Sequence, residues 1–263
     1  MLILLPPSEG KTAARRGKPL ELDRLSFPSL SEARAEVLDA LVSLCTTGGA
    51  GDVAKAAEVL GLGKTQTDQV LRNAELLSAP TARADRVYSG VLYEALDLAS
   101  MDTAARRRAT SWVAITSGLF GLLRPDDRIP AYRLSGSVSL PGTGQVATYW
   151  SSRLGEAVRE AAGKGPVVDL RSSTYASFWR PDADMARQVV TTRVLHEVEG
   201  RRKVVSHFNK ATKGRLVRAV LQDGGKPTSP ARFAEQLRDL GWRVELAGPG
   251  RYGAHIDVVV TEL

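Results

Sequence analysis

The first residues of the chain constrain its fold most strongly. Leu2 to Leu5 form a continuous apolar run, which Pro6 and Pro7 end. A short apolar run bounded by turn-forming residues is typical of a strand buried on both faces of a sheet. We therefore expect the core to be built around this strand.

The rest of the chain alternates irregularly between short apolar runs and amphipathic segments. Strands are predicted at 112–115, 167–170, 188–198, 204–205, 242–244 and 256–261. Helices are predicted at 31–45, with Ser31 as N-cap, at 52–60, with Asp52 as cap, and at 65–77, 152–161, 210–221 and 230–240. Because neither an internal repeat nor a dividing linker is visible, we predict one α/β (mixed α+β) domain over 1–263 around a mixed β-sheet, with an N-terminal helical section.

Composition is that of an ordinary globular chain. Of the 263 residues, 43% are hydrophobic and 25% are charged, which is enough to bury a core. The single cysteine, Cys45, cannot form a disulfide within the chain, which favours a reducing compartment. The N-terminus lacks the cationic start of a signal peptide, and the sequence has no apolar stretch of about 18 residues. We expect a cytoplasmic monomer without membrane contact.

The charge balance favours a polyanionic partner. The net charge is +7 and the isoelectric point is about 9.7. Seven cations and no acid occur between residues 201 and 218. Within that run we predict that Lys210, Lys213 and Arg215 contact phosphates at a helix start. The alternatives are that this run is a solvated face and that the net charge only maintains solubility.

A glycine-containing turn joins two predicted helices at residues 59–64. Gly61 and Gly63 can adopt positive φ angles without a steric cost, which would make the turn tight and open its backbone to a phosphate. This is the pattern of a helix-hairpin-helix, with Lys64 and Arg72 as further phosphate contacts. The alternative is a glycine C-cap followed by an ordinary turn.

The segment 116–133 mixes two prolines, two glycines and several charges directly after a predicted strand. Loops at strand ends are where α/β folds bind ligands. Arg124 and Arg133, with Lys11 from the first loop, are therefore candidate phosphate ligands. Asp127 is a candidate acid or base. The alternative is a buried arginine network that holds an irregular loop.

Several motifs together resemble one known family. The run SGLFGLLRPDDRIPAYRL at 117–134 is similar to the central motif of the YaaA family. Residues 7–12, Tyr88 to Gly90, Tyr149-Trp150, 167–175 and 207–215 agree with other family segments in the same order. The resemblance implies an α/β body with a helix-hairpin-helix and a basic cleft. It also implies DNA binding during peroxide stress, with restraint of iron-driven damage.

Two functions are therefore predicted from the sequence. The first is sequence-nonspecific binding of duplex DNA, with Tyr132 or Tyr149-Trp150 stacking on an exposed base. The alternative is an enzyme acting on a nucleotide, a nucleobase or another phosphorylated small molecule, with Asp127, Asp169 and Tyr132 as catalytic candidates. We expect no cofactor. We also expect no metal site, because the three histidines are not arranged in Glu-x-x-His pairs.

Overall fold

The computed structural model describes residues 1–46, 49–204 and 206–261. The strands are β1 (Leu2–Leu5), β2 (Ala82–Arg83), β3 (Val113–Ser117), β4 (Gly121–Leu123), β5 (Arg128–Ile129), β6 (Ser139–Leu140), β7 (Gly144–Gln145), β8 (Val167–Asp169), β9 (Val189–Val198), β10 (Arg201–Lys203), β11 (Arg243–Gly250) and β12 (Gly253–Val260). The helices are α1 (Ser31–Cys45), α2 (Ala50–Val59), α3 (Asp68–Ala74), α4 (Ala84–Val87), α5 (Val91–Leu96), α6 (Thr103–Trp112), α7 (Val146–Ser151), α8 (Leu154–Ala162), α9 (Ser173–Ala176), α10 (Ala183–Ala186), α11 (Ser206–Asp223) and α12 (Pro230–Asp239).

One mixed sheet organises the domain, which confirms the predicted fold class. Its order is β11-β12-β9-β8-β1-β3-β4, with β10 paired to β9. The strands from β12 to β3 run parallel, whereas β4 and β11 run antiparallel to their neighbours. The first strand of the chain thus lies between strands more than a hundred residues away. The carboxyl ends of β1, β3 and β8 meet at one edge of the sheet.

The core is centred on β1, as its apolar run predicts. All four residues of β1 are fully buried. Helix α6 packs against β1 and β3, and α11 packs against α5 and β9. Apolar layers on both faces explain why the strand contains no polar residue. Within the described ranges, no helix combines the length and apolar character that crossing a membrane requires.

Several predicted boundaries differ from the structure. Ser31 opens α1 rather than capping it, because Leu30 occupies the cap position. Asp52 lies in the first turn of α2, after Gly49 at the cap. Trp112 ends helix α6 instead of opening the strand. A strand is predicted at 204–205, whereas the observed strand, β10, spans Arg201–Lys203. Position 205 lies outside the described residues.

The turn after α2 has the geometry of a glycine C-cap. Gly61 has a φ angle of 65°. Its N–H donates to the carbonyl of Glu58, and the N–H of Leu62 donates to that of Ala57, which is the Schellman pattern. Gly63 has a φ angle of −70° and so does not use the positive φ that glycine allows. Its N–H is taken up by the Gln66 side chain at 3.2 Å.

These bonds leave the amides of Gly61, Leu62 and Gly63 already paired within the protein. The turn therefore matches the alternative interpretation, a glycine C-cap, in its local geometry. A short 3₁₀ turn, Lys64–Gln66, then leads into α3. The side chain of Lys64 lies outside the described part of the structure. DNA binding by this hairpin stays a prediction.

Candidate functional site

Lys11 lies in the loop that follows β1, at the sheet edge where the parallel strands end. Its backbone forms a bridge with Tyr88, and the N–H of Thr12 donates to the carbonyl of Val87 at 2.8 Å. The hydroxyl of Ser8 accepts from the N–H of Ser89 at 3.0 Å. These contacts fix the loop against the segment that leads into α5, so the position of Lys11 is set by tertiary contacts.

The ammonium group of Lys11 lies over two tyrosine rings. Its Nζ is 4.3 Å from the ring centroid of Tyr132 and 5.5 Å from that of Tyr88. It donates a hydrogen bond to the carbonyl of Ser8 at 2.9 Å. Ring faces attract a cation, but they replace only part of the hydration that the group has lost.

A chain of buried hydroxyl groups lies beneath this lysine. The Tyr132 hydroxyl is 2.9 Å from that of Tyr88 and 2.7 Å from that of Ser117, the last residue of β3. Ser117 in turn accepts from the N–H of Phe120 at 3.0 Å. Each buried hydroxyl therefore has a hydrogen-bond partner, and these bonds connect the end of β3 to Tyr132 and Tyr88.

Three cations from separate parts of the chain meet at one cavity of about 340 Å³. Among the described residues, the cavity is lined by Glu9, Gly10, Lys11, Gln66, Gln69, Arg72 and Arg133. We call it the Lys11 pocket. The cations come from the loop after β1, from α3 and from the central block. The volume is at the lower end of the range of about 300 to 1,000 Å³ for small-ligand sites.

A buried asparagine holds two walls of the Lys11 pocket together. The side-chain amide of Asn73 donates to the carbonyl of Arg133 at 2.8 Å, and its oxygen accepts from the N–H of Arg133 at 2.8 Å. Asn73 is fully buried. Because this pair of bonds fixes α3 against the central block, it also fixes the neighbouring Arg72.

One acid, Glu9, partly neutralises the positive charge of the pocket. The Arg133 guanidinium is paired with the carboxylate of Glu9 and also donates to its backbone carbonyl at 3.3 Å. The Arg133 Nε is buried without a partner in the described structure. Arg72 is 3.7 Å from Asp68, an exposed pair that contributes little. With Lys11 protonated, the lining residues carry a net charge of +2 (three cations and Glu9).

Burial changes the acidity of Lys11. Loss of hydration lowers its pKa to about 7, with Glu9 acting in the opposite direction and Arg133 in the same one. A lysine that titrates near neutral pH can act as a charge below that pH and as a neutral amine above it.

This titration predicts a pH-dependent effect of Lys11→Met. Below pH 7 Lys11 is protonated in both the folded and the unfolded state, so burial of its charge lowers the free energy of unfolding of the wild type by its full amount. Between pH 7 and about 10 the unfolded state binds more protons, and the wild type gains stability with rising pH. We expect the stability of the variant relative to the wild type to fall by about 2 to 3 kcal/mol between pH 6 and pH 9.

Urea denaturation at the two pH values measures this effect. Lys55→Met is the matched control, because that side chain is 81% exposed, and its effect should stay within about 0.5 kcal/mol at both. An advantage of Lys11→Met that is the same at pH 6 and pH 9 would contradict the lowered pKa.

The other members of the central block lie away from the Lys11 pocket. The Arg124 guanidinium donates to the carbonyl of Val113 at 2.9 Å, at the opposite end of β3 from Ser117. Asp127 is buried and accepts from Arg124 N and from both the N–H and hydroxyl of Ser26. Burial raises the pKa of Asp127 despite these bonds. Arg124 is therefore not among the residues that line the pocket with Arg133, and its role as a phosphate ligand stays a prediction.

Asp169 is committed to a buried ion pair. Both of its oxygens accept from the Arg171 guanidinium, at 2.9 and 2.7 Å. Burial alone would raise the pKa of Asp169, but Arg171 outweighs it and the pKa is lowered. Its predicted catalytic role, like that of Asp127, stays a prediction, and the geometry of each carboxylate favours a structural role.

The cations between residues 201 and 218 do not form one surface. Lys213 donates to the carbonyl of Leu170 at 3.0 Å, and burial lowers its pKa. Arg218 donates to carbonyls at the end of α5, and Arg202 pairs with carboxylates of the neighbouring strands. Lys210 and Arg215 are exposed on α11. None of these five is among the residues found to line the Lys11 pocket.

The aromatic residues expected to stack on a base are unavailable for stacking. Tyr132 is 2% exposed, Tyr149 is 8% and Trp150 is 0%. The Trp150 indole donates to the carbonyl of Gly118 at 2.8 Å. Their rings are packed in the core and no base can reach them, so the stacking prediction is wrong.

Sequence reasoning missed several residues of the Lys11 pocket. Gln66 and Gln69 line it from the 3₁₀ turn and α3, Glu9 pairs with Arg133, and Asn73 joins two walls. A spacing of three is the separation at which helical neighbours share a face, and between Gln66 and Gln69 it was the available signal. The partners of Glu9 and Asn73 lie more than fifty residues away in sequence and had no local signal. Throughout the described ranges, His, Cys, Asp and Glu side chains form no group of three suited to a metal ion.

Fold and site together define a class: an α/β protein with a mixed sheet and a cation-lined pocket where the central parallel strands end. The family described as peroxide stress protein YaaA matches residues 1–245. The chain belongs to this family, whose description places it in the response to peroxide stress.

Relatives extend the match over the whole chain. A UPF0246 protein of Streptomyces coelicolor is 51% identical over 265 residues, which cover 100% of both chains. One of Corynebacterium efficiens is 40% identical over 94% of this chain and 95% of its own. A more distant one, of Lacticaseibacillus casei, is 32% identical over 50% of this chain and 53% of its own.

Proposed function

We propose that this protein binds DNA phosphates without sequence preference during peroxide stress, and that the Lys11 pocket holds one of those phosphates. The observation that carries the proposal is the meeting of Lys11, Arg72 and Arg133 from three separate segments at one cavity. Gathering like charges has a cost unless an anion is bound there. The net charge of +7 supports a polyanion as that anion, and the family description supports a role in peroxide stress.

The proposal assigns different roles to different cations. The Lys11 pocket is too small for a duplex groove but has room for a phosphate and its sugar. Exposed Lys210 and Arg215 on α11 would add contacts to neighbouring phosphates. On this proposal, the bound protein covers the DNA backbone and so limits iron-driven damage. We propose that it acts as a monomer in the cytoplasm.

Salt dependence of DNA binding tests this assignment. We expect the double change of Arg72→Gln with Arg133→Gln to lower the slope of log affinity against log salt by about 0.9, because the variant no longer neutralises the one phosphate held in the pocket and so releases fewer counterions. Arg72→Gln alone should give part of that loss. Fluorescence anisotropy of a labelled duplex between about 50 and 200 mM salt measures the slope.

The matched control is Arg232→Gln, which removes the same charge from a side chain that is 69% exposed on α12. If DNA binds at the pocket, this control should leave the slope unchanged. Equal slopes for Arg72→Gln and Arg232→Gln would show that only diffuse net charge is involved and would overturn the assignment of the site.

One observation favours the second candidate function, an enzyme acting on a phosphorylated small molecule or a nucleotide. A protein that only coats DNA gains nothing from a lysine whose pKa is near 7, above a buried chain of hydroxyl groups. A thermal-shift screen of nucleotides and sugar phosphates tests it. Stabilisation by one small ligand, with DNA having no effect, would favour this function over the first.

A further inference from the structure

We propose that Lys11 is a nucleophile, which forms an imine with the aldehyde of a phosphate-bearing ligand held by Arg72 and Arg133. The inference rests on the proposed phosphate-binding role of the Lys11 pocket and adds a covalent step to it. It names the ligand by its chemistry: an open-chain aldehyde a few atoms from a phosphate group.

The position of the amine supports the proposal. Lys11 opens onto a cavity of about 340 Å³, with both arginines in the same lining. Arginine side chains bind phosphate through two parallel N–H bonds, which would fix one end of a ligand. The lysine would then meet the other end, since all three residues line a space only large enough for a small ligand.

The surroundings of Lys11 also suit a nucleophile better than a permanent cation. The nearest acid in sequence, Glu9, is paired with Arg133. The amine has the Ser8 carbonyl and two tyrosine ring faces as its neighbours. These groups hold the nitrogen in place, and although the ring faces attract its charged form, none of them is a carboxylate that would replace the lost hydration in full. The lowered pKa of Lys11 is consistent with this.

The step balances without any further reactant. The neutral Lys11 amine attacks the aldehyde carbon, and the C=O electron pair moves to the oxygen. A proton passes from the nitrogen to that oxygen, which gives a neutral carbinolamine. The hydroxyl group and the remaining nitrogen proton then leave as one water, and the C=N bond forms. The reaction is reversible by addition of water.

Two sources carry this chemistry. One is a free sugar phosphate, and the other is a DNA strand at a position that has lost its base, where the sugar opens to an aldehyde. The first suits the volume of the Lys11 pocket, and the second suits the proposed DNA binding. The experiment therefore has one arm for each.

Reductive trapping tests the proposal. The intact protein is incubated at pH 7 with glyceraldehyde 3-phosphate, or with a duplex containing one abasic site, and sodium cyanoborohydride converts any imine into a stable amine. Peptide mass spectrometry then locates the adduct. We expect at least about tenfold more adduct on Lys11 than on exposed Lys55, because about half of the Lys11 amines are neutral near pH 7 and only about 0.1% or fewer of ordinary lysines are.

Unphosphorylated glyceraldehyde and two variants complete the design. Arg72→Gln should lower trapping of the phosphorylated aldehyde severalfold and leave that of glyceraldehyde unchanged. Lys11→Arg keeps a cation and removes the nucleophile, so its adduct at position 11 should disappear. Lys213→Arg is the matched control, because Lys213 is also half-buried with a carbonyl partner, and it should not change trapping at Lys11.

The comparison of lysines within the wild-type protein does not depend on any variant folding. Adduct levels that simply follow exposure, with Lys55 labelled more than Lys11, would overturn the proposal. If anisotropy shows duplex binding and no adduct forms on Lys11, the imine proposal is contradicted and the proposed DNA-binding function stands. An adduct of the sugar phosphate on Lys11, in a protein that does not bind DNA, would support the imine and contradict the proposed DNA-binding function.

Discussion

Replacing Arg171 with Met should lower the free energy of unfolding by about 3 to 5 kcal/mol, because it leaves the Asp169 carboxylate buried without its partner. The Arg171 side chain is 1% exposed and that of Asp169 is 9%. The same guanidinium donates to the carbonyls of Tyr175 and Trp179, at 3.0 and 2.9 Å. The variant therefore loses the ion pair and the anchors of the loop after β8 together.

The pH dependence separates these two losses. In the wild type the lowered pKa of Asp169 contributes stability above about pH 4, which is lost as the pH falls through the folded value. In the variant burial would act on the pKa of this carboxyl without Arg171 to oppose it, so the carboxyl should take up a proton more readily. The difference in stability between the two proteins should therefore shrink as the pH falls from 7 towards 4.

An exposed ion pair provides the control for this prediction. Arg159 and Asp182 are paired with side chains 55% and 58% exposed. Arg159→Met should cost less than about 1 kcal/mol, because solvent screens the pair. Guanidinium chloride titrations of both variants make the comparison. Similar losses at both sites would show that Asp169 is not the buried, dependent charge that the structure describes.

Gly214→Ala should destabilise the protein by about 2 to 3 kcal/mol, although alanine is the better helix former by about 1 kcal/mol. Gly214 lies at the crossing of α11 and α5. A Cβ there would be 2.3 Å from the carbonyl oxygen of Leu92 and 2.9 Å from the Cβ of Ala95. The helices must separate to admit it, and the lost packing exceeds the gain in propensity.

The matched control is another helical glycine. Gly155 in α8 has nothing within 4 Å of a built Cβ. Gly155→Ala should stabilise the protein by about 0.5 to 1 kcal/mol, because only the propensity changes. Thermal unfolding of the two variants should therefore give shifts of opposite sign. A stabilising Gly214→Ala would mean that α11 and α5 do not pack as closely as described.

The α11–α5 crossing also bears on the Lys11 pocket. Tyr93 in α5 donates to the carbonyl of Pro6 at 2.7 Å and stacks on Tyr88 at 5.5 Å. A shift of α5 would therefore move the loop that carries Lys11. We expect Gly214→Ala to weaken phosphate binding even though it is remote from the ligand.

Local patterns predicted most of the regular elements. The β1 run, the helix over Ser31–Cys45 and the helix over Pro230–Asp239 follow periodicities of a few residues, so the sequence alone located them. The ends were less accurate because a cap depends on which residue first leaves helical geometry. Leu30 shows this at α1, where Ser31 has the better capping side chain but lies one residue too late.

Arginine roles were much harder to predict. The buried arginine network weighed as an alternative for the central block does exist, but its fully buried member is Arg34 in α1. Arg34 is 0% exposed and donates to the carbonyls of Phe120 and Leu122, at 3.0 and 2.7 Å. Those carbonyls belong to residues more than eighty positions away, so no local pattern relates them to Arg34.

By itself the sequence determined the α/β class, the family and a surplus of cations, because apolar periodicity and motif order are local properties. The tertiary structure alone decided which of those cations are available to a ligand. An arginine or lysine becomes structural when folding brings an unpaired carbonyl or carboxylate within reach, as for Arg124 and Lys213. Lys11 and Arg133 also have protein partners, in Ser8 and Glu9, but together with Arg72 they line an open cavity. They meet there because a sheet edge, a helix and the buried Asn73 bring three distant segments together.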